Sequence, residues 1–205
     1  MRPLKIAAAI VAAVALPQCA LADTLTLTGV VRDFTPSHPD FEHACCGMDY
    51  DIVTATLGAD GRPVYAPGSA GSTWSTYGQD AFNQWFRDVP GVNLSASKSI
   101  VLDNGIAGPG GTYTYHSGSF FPIDGELFGD YAYGHNYHFT YQIHGTFGYK
   151  PGAGQVFDFA GDDDVWVYFD KKLAINLGGV HGETGASVNL DTFFAGLGGR
   201  AEGNY

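Results

Sequence analysis

The stretch 157–170, FDFAGDDDVWVYFD, sets three aspartates side by side between two aromatic and β-branched segments. In an extended chain neighbouring side chains point to opposite faces, so three carboxylates converge only where the backbone turns irregular. Gly161 supplies that freedom. Two chemistries make the triplet tolerable. A hard cation such as Ca²⁺ takes about 6–8 oxygen ligands, carboxylates and carbonyls among them, and would turn the repulsion among Asp162, Asp163 and Asp164 into attraction. A solvated Asp-rich turn needs no ion. The residues alone leave both readings open.

Other residue types offer less. His138 and His144 share a strand face but stand six residues apart, too far along an extended chain to grip one ion, and His38, His43 and His135 show no compact ligand spacing of the kind zinc prefers. No Gly-x-Ser-x-Gly marks a nucleophile. Asp124, Glu126 and Asp130 could pair as glycosidase carboxylates, yet PIDGELFGDY reads first as an acidic turn, so the chain is expected to be a binder rather than an enzyme. Trp74, Tyr77, Tyr113, Tyr115, Tyr131, Tyr133 and Tyr149 fall in Gly-rich stretches. Aromatic rings there suit the C–H faces of sugars, or else fold back into a core.

Period-two alternation must position these residues. In 137–147, YHFTYQIHGTF, the apolar set Tyr137, Phe139, Tyr141, Ile143 and Phe147 reads as a core face, with His138, Thr140 and Gln142 outward. TLTLTGVV (24–31), DIVTATL (51–57), KSIVLD (98–103) and VWVYFD (165–170) read as further strands, separated by Gly/Pro clusters. One stretch is helical in pattern: GQDAFNQWFRDVPG (78–91) repeats Phe82, Trp85, Phe86 and Val89 at i, i+3, i+4 and i+7, with Asp80 as N-cap. Many short strands and one short helix predict an all-β antiparallel sandwich.

Residues 1–22 carry Arg2 and Lys5, then an apolar run, then Ala20-Leu21-Ala22. That is the pattern of a signal peptide, which predicts a secreted protein, extracellular or periplasmic, with one domain over 23–205. Loss of Arg2 and Lys5 would take the formal net charge from −11 to −13, a balance that repels nucleic acid and anionic lipid. Cys45 and Cys46 would then be the remaining cysteines. Their adjacency leaves a strained ring, a bridge to another chain or free thiols.

The segment 159–191, FAGDDDVWVYFDKKLAINLGGVHGETGASVNLD, resembles the signature of the fibro-slime domain, a member of the PA14-like group. VRDFTPSHPDFE (31–42) resembles the opening of the same domain. The resemblance implies a PA14-like β-sandwich in which Asp162 and Asp163 hold calcium, with Asp164 standing where many members have Gly. It also implies that Gly179 and His181 lie beside the ion, that a carbohydrate or cell-surface glycan is the partner, and that nearby aromatics such as Trp74 and Tyr77 face the sugar. Two departures accompany it. Asn176 stands where Asp is frequent, and the resembling pattern continues past Tyr205 into further strands, so an open sheet edge is expected to promote association. The second reading is a structural matrix protein whose calcium pins loops; the third is an enzyme acting on polysaccharide.

Overall fold

A computed structural model of the chain describes residues 4–8, 23–41, 46–105, 111–131 and 134–205, the first of these by backbone alone. Its elements run β1 (Leu4–Ala8), β2 (Thr24–Phe34), α1 (Gln79–Phe82), β3 (Asn93–Asp103), β4 (Tyr113–Ser117), β5 (Phe139–Ile143), β6 (Gly148–Tyr149), β7 (Val156–Gly161), β8 (Val165–Phe169), β9 (Lys172–Leu177), β10 (Thr184–Asn189), α2 (Leu190–Gly196) and β11 (Gly203–Asn204). Seven strands form one antiparallel sheet in the order β10-β7-β1-β4-β3-β2-β5, with two-stranded pairs β8-β9 and β11-β6 beside it. The all-β antiparallel class read from the sequence is what the chain adopts.

The backbone of the aspartate region is fixed by the β8–β9 hairpin. Its run VWVYF is apolar on both faces because both are covered. Val165, Val167, Phe169, Ile175 and Leu177 pack into a cluster with Phe159, Val188 and Phe194. Trp166, Tyr168 and Leu173 pack against Ile52, Phe82, Trp85 and Phe86. The hairpin turns through Asp170 and Lys171, both at positive φ, as a two-residue turn matched to strand twist requires. Arg200 closes on Asp170 with Nε and a terminal nitrogen.

Three local expectations change. The helix over 78–91 shrinks to one turn, Gln79–Phe82, capped by Gly78 rather than Asp80. After it the chain tightens into i→i+3 bonds from Gln84, Trp85 and Arg87, but Phe82, Trp85 and Phe86 are buried as their spacing required. A second helix, α2, starts at Asn189, whose side chain accepts the Thr192 N–H. DIVTATL makes only isolated bridges, Val53 to Tyr65 and Thr56 to Lys172.

β5 is covered on both faces: its apolar side packs against the core cluster of Ile100 and Leu102 as read, and the side read as outward is covered as well. His138 and Thr140 are the buried residues, while Phe139, Tyr141 and Ile143 are half-buried against Phe120, Tyr115 and Leu27. Polar residues go inward because partners wait there: Thr140 donates to the Trp85 carbonyl, and Gln142 accepts from the buried Arg32, which also holds Asp88. A satisfied polar group costs little to bury.

The leader reading falls largely on residues 1–3 and 9–22, outside the described residues, as do Cys19 and the cleavage point after Ala22. No described helix is long and apolar enough to cross a membrane.

Candidate functional site

Most aspartates of the chain fasten loops. Asp33, at 0% exposure, accepts from the Phe128 N–H and the Asn136 amide, each at 2.8 Å; burial raises its pKa and those bonds oppose the rise. Asp40 accepts from the Tyr77 N–H at 2.7 Å and the Trp85 indole at 2.8 Å. Asp49 accepts the Ser75 hydroxyl at 2.6 Å. Asp191 takes the Gly152 and Gly154 N–H groups and the Tyr149 hydroxyl, with the Gly152 bond foremost in holding its pKa below the usual carboxylate range. The motif 31–42 thus supplies staples: its described carboxylates, Asp33 and Asp40, are matched to neutral donors rather than to each other.

The triplet differs. Asp163 sits at φ 72, a left-handed backbone that Asp tolerates better than most residues. Among the described residues its carboxylate accepts the adjacent Asp164 N–H, at 3.2 Å, and its own N–H reaches the His181 carbonyl at 3.4 Å. Asp164 accepts the Gly179 N–H. Desolvation is the first cause of the raised pKa of both, with Asp162 adding to Asp163, and Asp163 and Asp49 adding to Asp164. The results are about 6 for Asp163 and about 7 for Asp164. Asp162 and Asp163 are nonetheless exposed to water, and Asp164 is half-buried. Here carboxylates press on carboxylates, and the ionised forms are disfavoured.

Two loops brace this cluster. Gly178 and Gly179 run against the segment 47–49: the Gly47 N–H donates to Val180 at 2.6 Å, and the Asp49 N–H donates to Gly178. A Cβ on Gly179, at φ +99, would lie 2.4 Å from the Gly47 carbonyl, so only glycine fits. Gly179 therefore serves through its backbone. His181 is buried, with Nδ1 at 2.8 Å from the Gly182 carbonyl and Nε2 at 3.3 Å from the Leu177 carbonyl, which ties its ring to the loop it belongs to. The Trp74 ring lies over Gly47 on the far side, 47% exposed. Asp163, Asp164, Gly179, His181 and Trp74 are thus assembled through one contact chain.

Tyr77 stands apart. It is 63% exposed and lines a separate open groove of about 560 Å³ with Pro39, Ser72, Gln79, Asp80 and Gln84. Of the other loop aromatics, Tyr149 is buried, Tyr113, Tyr115 and Tyr131 are half-buried, and Tyr133 lies outside the described residues. Asp124, Glu126 and Asp130 each have their own partners: His135 and the Asn136 N–H, Lys98, and the Gly125 N–H.

The segment 46–50 was invisible as a site element in the sequence, where only the paired cysteines signalled it. Cys46 is disulfide-bonded; Cys45 lies outside the described residues. Asn176, the departure from Asp, accepts from the Trp166 indole and donates to the Tyr50 carbonyl at 2.8 Å. A carboxylate could not make the second bond. Among the described residues no three His, Cys, Asp or Glu side chains converge as a metal-ligand group. Any ion at the triplet must therefore draw on carbonyl or water oxygens beside the carboxylates, donors that calcium accepts.

Residues 116–195 match the PA14 domain. The chain is also similar to Dictyostelium discoideum proteins: 43% identical to psiR over 184 residues, covering 82% of this chain and 18% of psiR. It is 39% identical to psiC over 183 residues, covering 82% of this chain and 35% of psiC. This chain thus spans between about a fifth and a third of those relatives. No solved structure gives a significant match.

Proposed function

We propose, for a chain that carries a PA14-like domain of the fibro-slime kind, that it is an exported calcium-dependent carbohydrate-binding module serving cell-surface adhesion. The observation that carries the reading is the contrast between satisfied and frustrated aspartates. Asp33, Asp40 and Asp191 each have two or more hydrogen-bond donors, whereas Asp163 and Asp164 have one backbone N–H each, and desolvation together with a neighbouring aspartate, Asp162 for Asp163 and Asp163 for Asp164, raises their pKa values. A divalent cation is the species that relieves such a cluster, with Asp162 and Asp163 as carboxylate ligands and Asp164 beside them.

The ion's contribution would be to neutralise these carboxylates and offer open coordination positions to sugar hydroxyls. The chain's own part is to hold the oxygens in place. Asp164 is anchored by the Gly179 N–H, and the Gly178–Gly182 loop is anchored by the segment 47–49 and by His181. Trp74, exposed across Gly47, gives a pyranose an apolar face to lie on. PA14-type domains are associated with carbohydrate binding and adhesion, which agrees with this chemistry.

The test is a glycan panel probed in Ca²⁺ and in EDTA. Binding that EDTA abolishes supports the module. Calcium-dependent thermal stabilisation with no glycan bound would favour a matrix protein whose ion pins loops, and reducing-sugar release from a polysaccharide would turn the reading to an enzyme.

A further inference from the structure

The seven-stranded sheet contains one strand from a place the sequence says is temporary. β1, residues Leu4–Ala8 of the leader-like segment, lies between β4 and β7, in register with five residues of β4 and four of β7, antiparallel to both. Its removal with residues 1–22 would open the middle of the sheet. β7 would stay paired to β10 over six residues. β4 would not: its other edge meets β3 through Asp103 and Thr114 alone.

The walls of that slot have a definite chemistry. On one face Tyr113 and Tyr115 of β4 stand opposite Phe157 and Phe159 of β7 across the gap, and Phe159 is part of the buried core. On the other face are Thr114, His116 and Asp158, all exposed. An inserted strand must therefore be apolar at alternate positions, those in register with Tyr115–Phe159 and Tyr113–Phe157, and polar between them. The acceptor's charge of −13 without Arg2 and Lys5 favours a basic strand.

We propose that the slot between β4 and β7 is a strand-acceptor site, and that in the exported protein it takes an extended, basic segment of another polypeptide with apolar residues at alternate positions. The leader strand holds the site in the nascent chain. Main-chain hydrogen bonds on both sides would supply affinity, and the Tyr115–Phe159 position specificity. This goes beyond the calcium-dependent binding proposed above and depends on the removal of residues 1–22, not on the aspartates.

The intact mass of the exported protein comes first: retention of residues 1–22 overturns the proposal, since the slot is then filled in cis. Protein 23–205 is next followed by hydrogen exchange, alone and with a synthetic peptide of residues 3–9 as probe. Expected are fast exchange across Tyr113–Ser117 without peptide, and slowing by about tenfold or more with it, there and along the β1-facing edge of β7. The same peptide with Ile6→Asp should give no protection. Slow exchange at β4 in monomeric 23–205 without peptide refutes the open slot. Protection that appears only with concentration-dependent dimerisation refutes a foreign donor in favour of a second copy. Should 23–205 fail to fold alone, full-length Ile6→Asp must show the same fast exchange confined to β4; unchanged exchange there overturns the proposal.

Discussion

The aspartate triplet makes a prediction whose sign changes with calcium. A carboxyl whose native pKa lies above its unfolded value binds its proton more tightly in the folded chain. Below about pH 4 both states are protonated and no penalty exists. Between pH 4 and about 7, the unfolded chain ionises first, so the metal-free protein loses stability as pH rises; above that window the penalty is complete and flat. Asp163 moves from 3.8 to about 6 and Asp164 from 3.8 to about 7. At about 1.4 kcal/mol per unit the unscreened shifts amount to roughly 3 and 4 kcal/mol. Water reaches both side chains and the two titrate as a coupled pair, so we expect about 1–3 kcal/mol for the pair. The assay is thermal unfolding in EDTA from pH 8 to pH 5, comparing the parent with Asp163→Asn and with the double Asn variant. The parent should gain about 2–10 °C relative to the double variant as pH falls, at roughly 2–4 °C per kcal/mol for a chain of this size. With about 1 mM Ca²⁺ the slope reverses, because protons now compete with the ion for ionised ligands. At 100 times the Kd the ion adds about 2.7 kcal/mol at pH 7, and Asp163→Asn should remove that gain. A parent that tracks the double variant at every pH in EDTA would refute the frustration argument. Identical midpoints with and without Ca²⁺ at pH 7 would refute the ion.

Three further outcomes are expected from single changes. Asp40→Ala leaves the Tyr77 N–H and the Trp85 indole without their acceptor, and should cost about 2–4 kcal/mol in urea unfolding; a loss under 0.5 kcal/mol would mean the loop is fastened elsewhere. Asn176→Asp keeps the Trp166 bond but loses the donation to Tyr50, for about 1–2 kcal/mol, and parent-like unfolding would show that bond to be immaterial. Trp74→Ala should leave the unfolding midpoint within about 1–2 °C while weakening calcium-dependent glycan binding five- to tenfold, the scale of one aromatic contact; unchanged glycan affinity would remove Trp74 from the site.

Legibility followed locality. The strand from Val165 and the burial of Phe82, Trp85 and Phe86 were readable because alternation and spacing act over a few residues. What failed depended on partners distant in sequence. The polar face of β5 is covered as well as the apolar one because Arg32 and the Trp85 carbonyl lie opposite it, a fact no window around 137–147 contains. Asn189 as N-cap, with Leu190, Phe193 and Phe194 at helical spacing, did announce α2, but the alternating strands before it masked the change of period. Asp162–Asp164 stood out by composition, and Gly179 through the resemblance of 159–191 to the fibro-slime signature. Their support by 46–50 did not, since it is main chain against main chain and carries no side-chain signature.

That last point bears on why an acidic chain uses its aspartates so unequally. A carboxylate facing two or three N–H groups is a rigid joint: it needs no counter-ion and works at any pH above its own titration. Asp33, Asp40 and Asp191 do this for loops far apart in sequence. At the triplet, Gly179 gives its N–H to Asp164 alone, and Asp163 is left with its neighbour's amide and a left-handed backbone. The loop that holds Asp164 is itself pinned by tight backbone contact at Gly178 and Gly179. Rigid support around groups that repel each other is unfavourable for the chain by itself and favourable once a cation arrives, because the reorganisation that binding would otherwise require has already been met in folding. Loosening the brace should therefore weigh more on the ion-bound state than on the free one, whereas Gly182→Ala, which meets open space, should leave both unchanged. Gly179→Ala, which clashes with the Gly47 carbonyl, should weaken calcium affinity by more than the loss of apo stability accounts for. Equal losses in the two states would show the loop to be a scaffold for the fold and not for the ion.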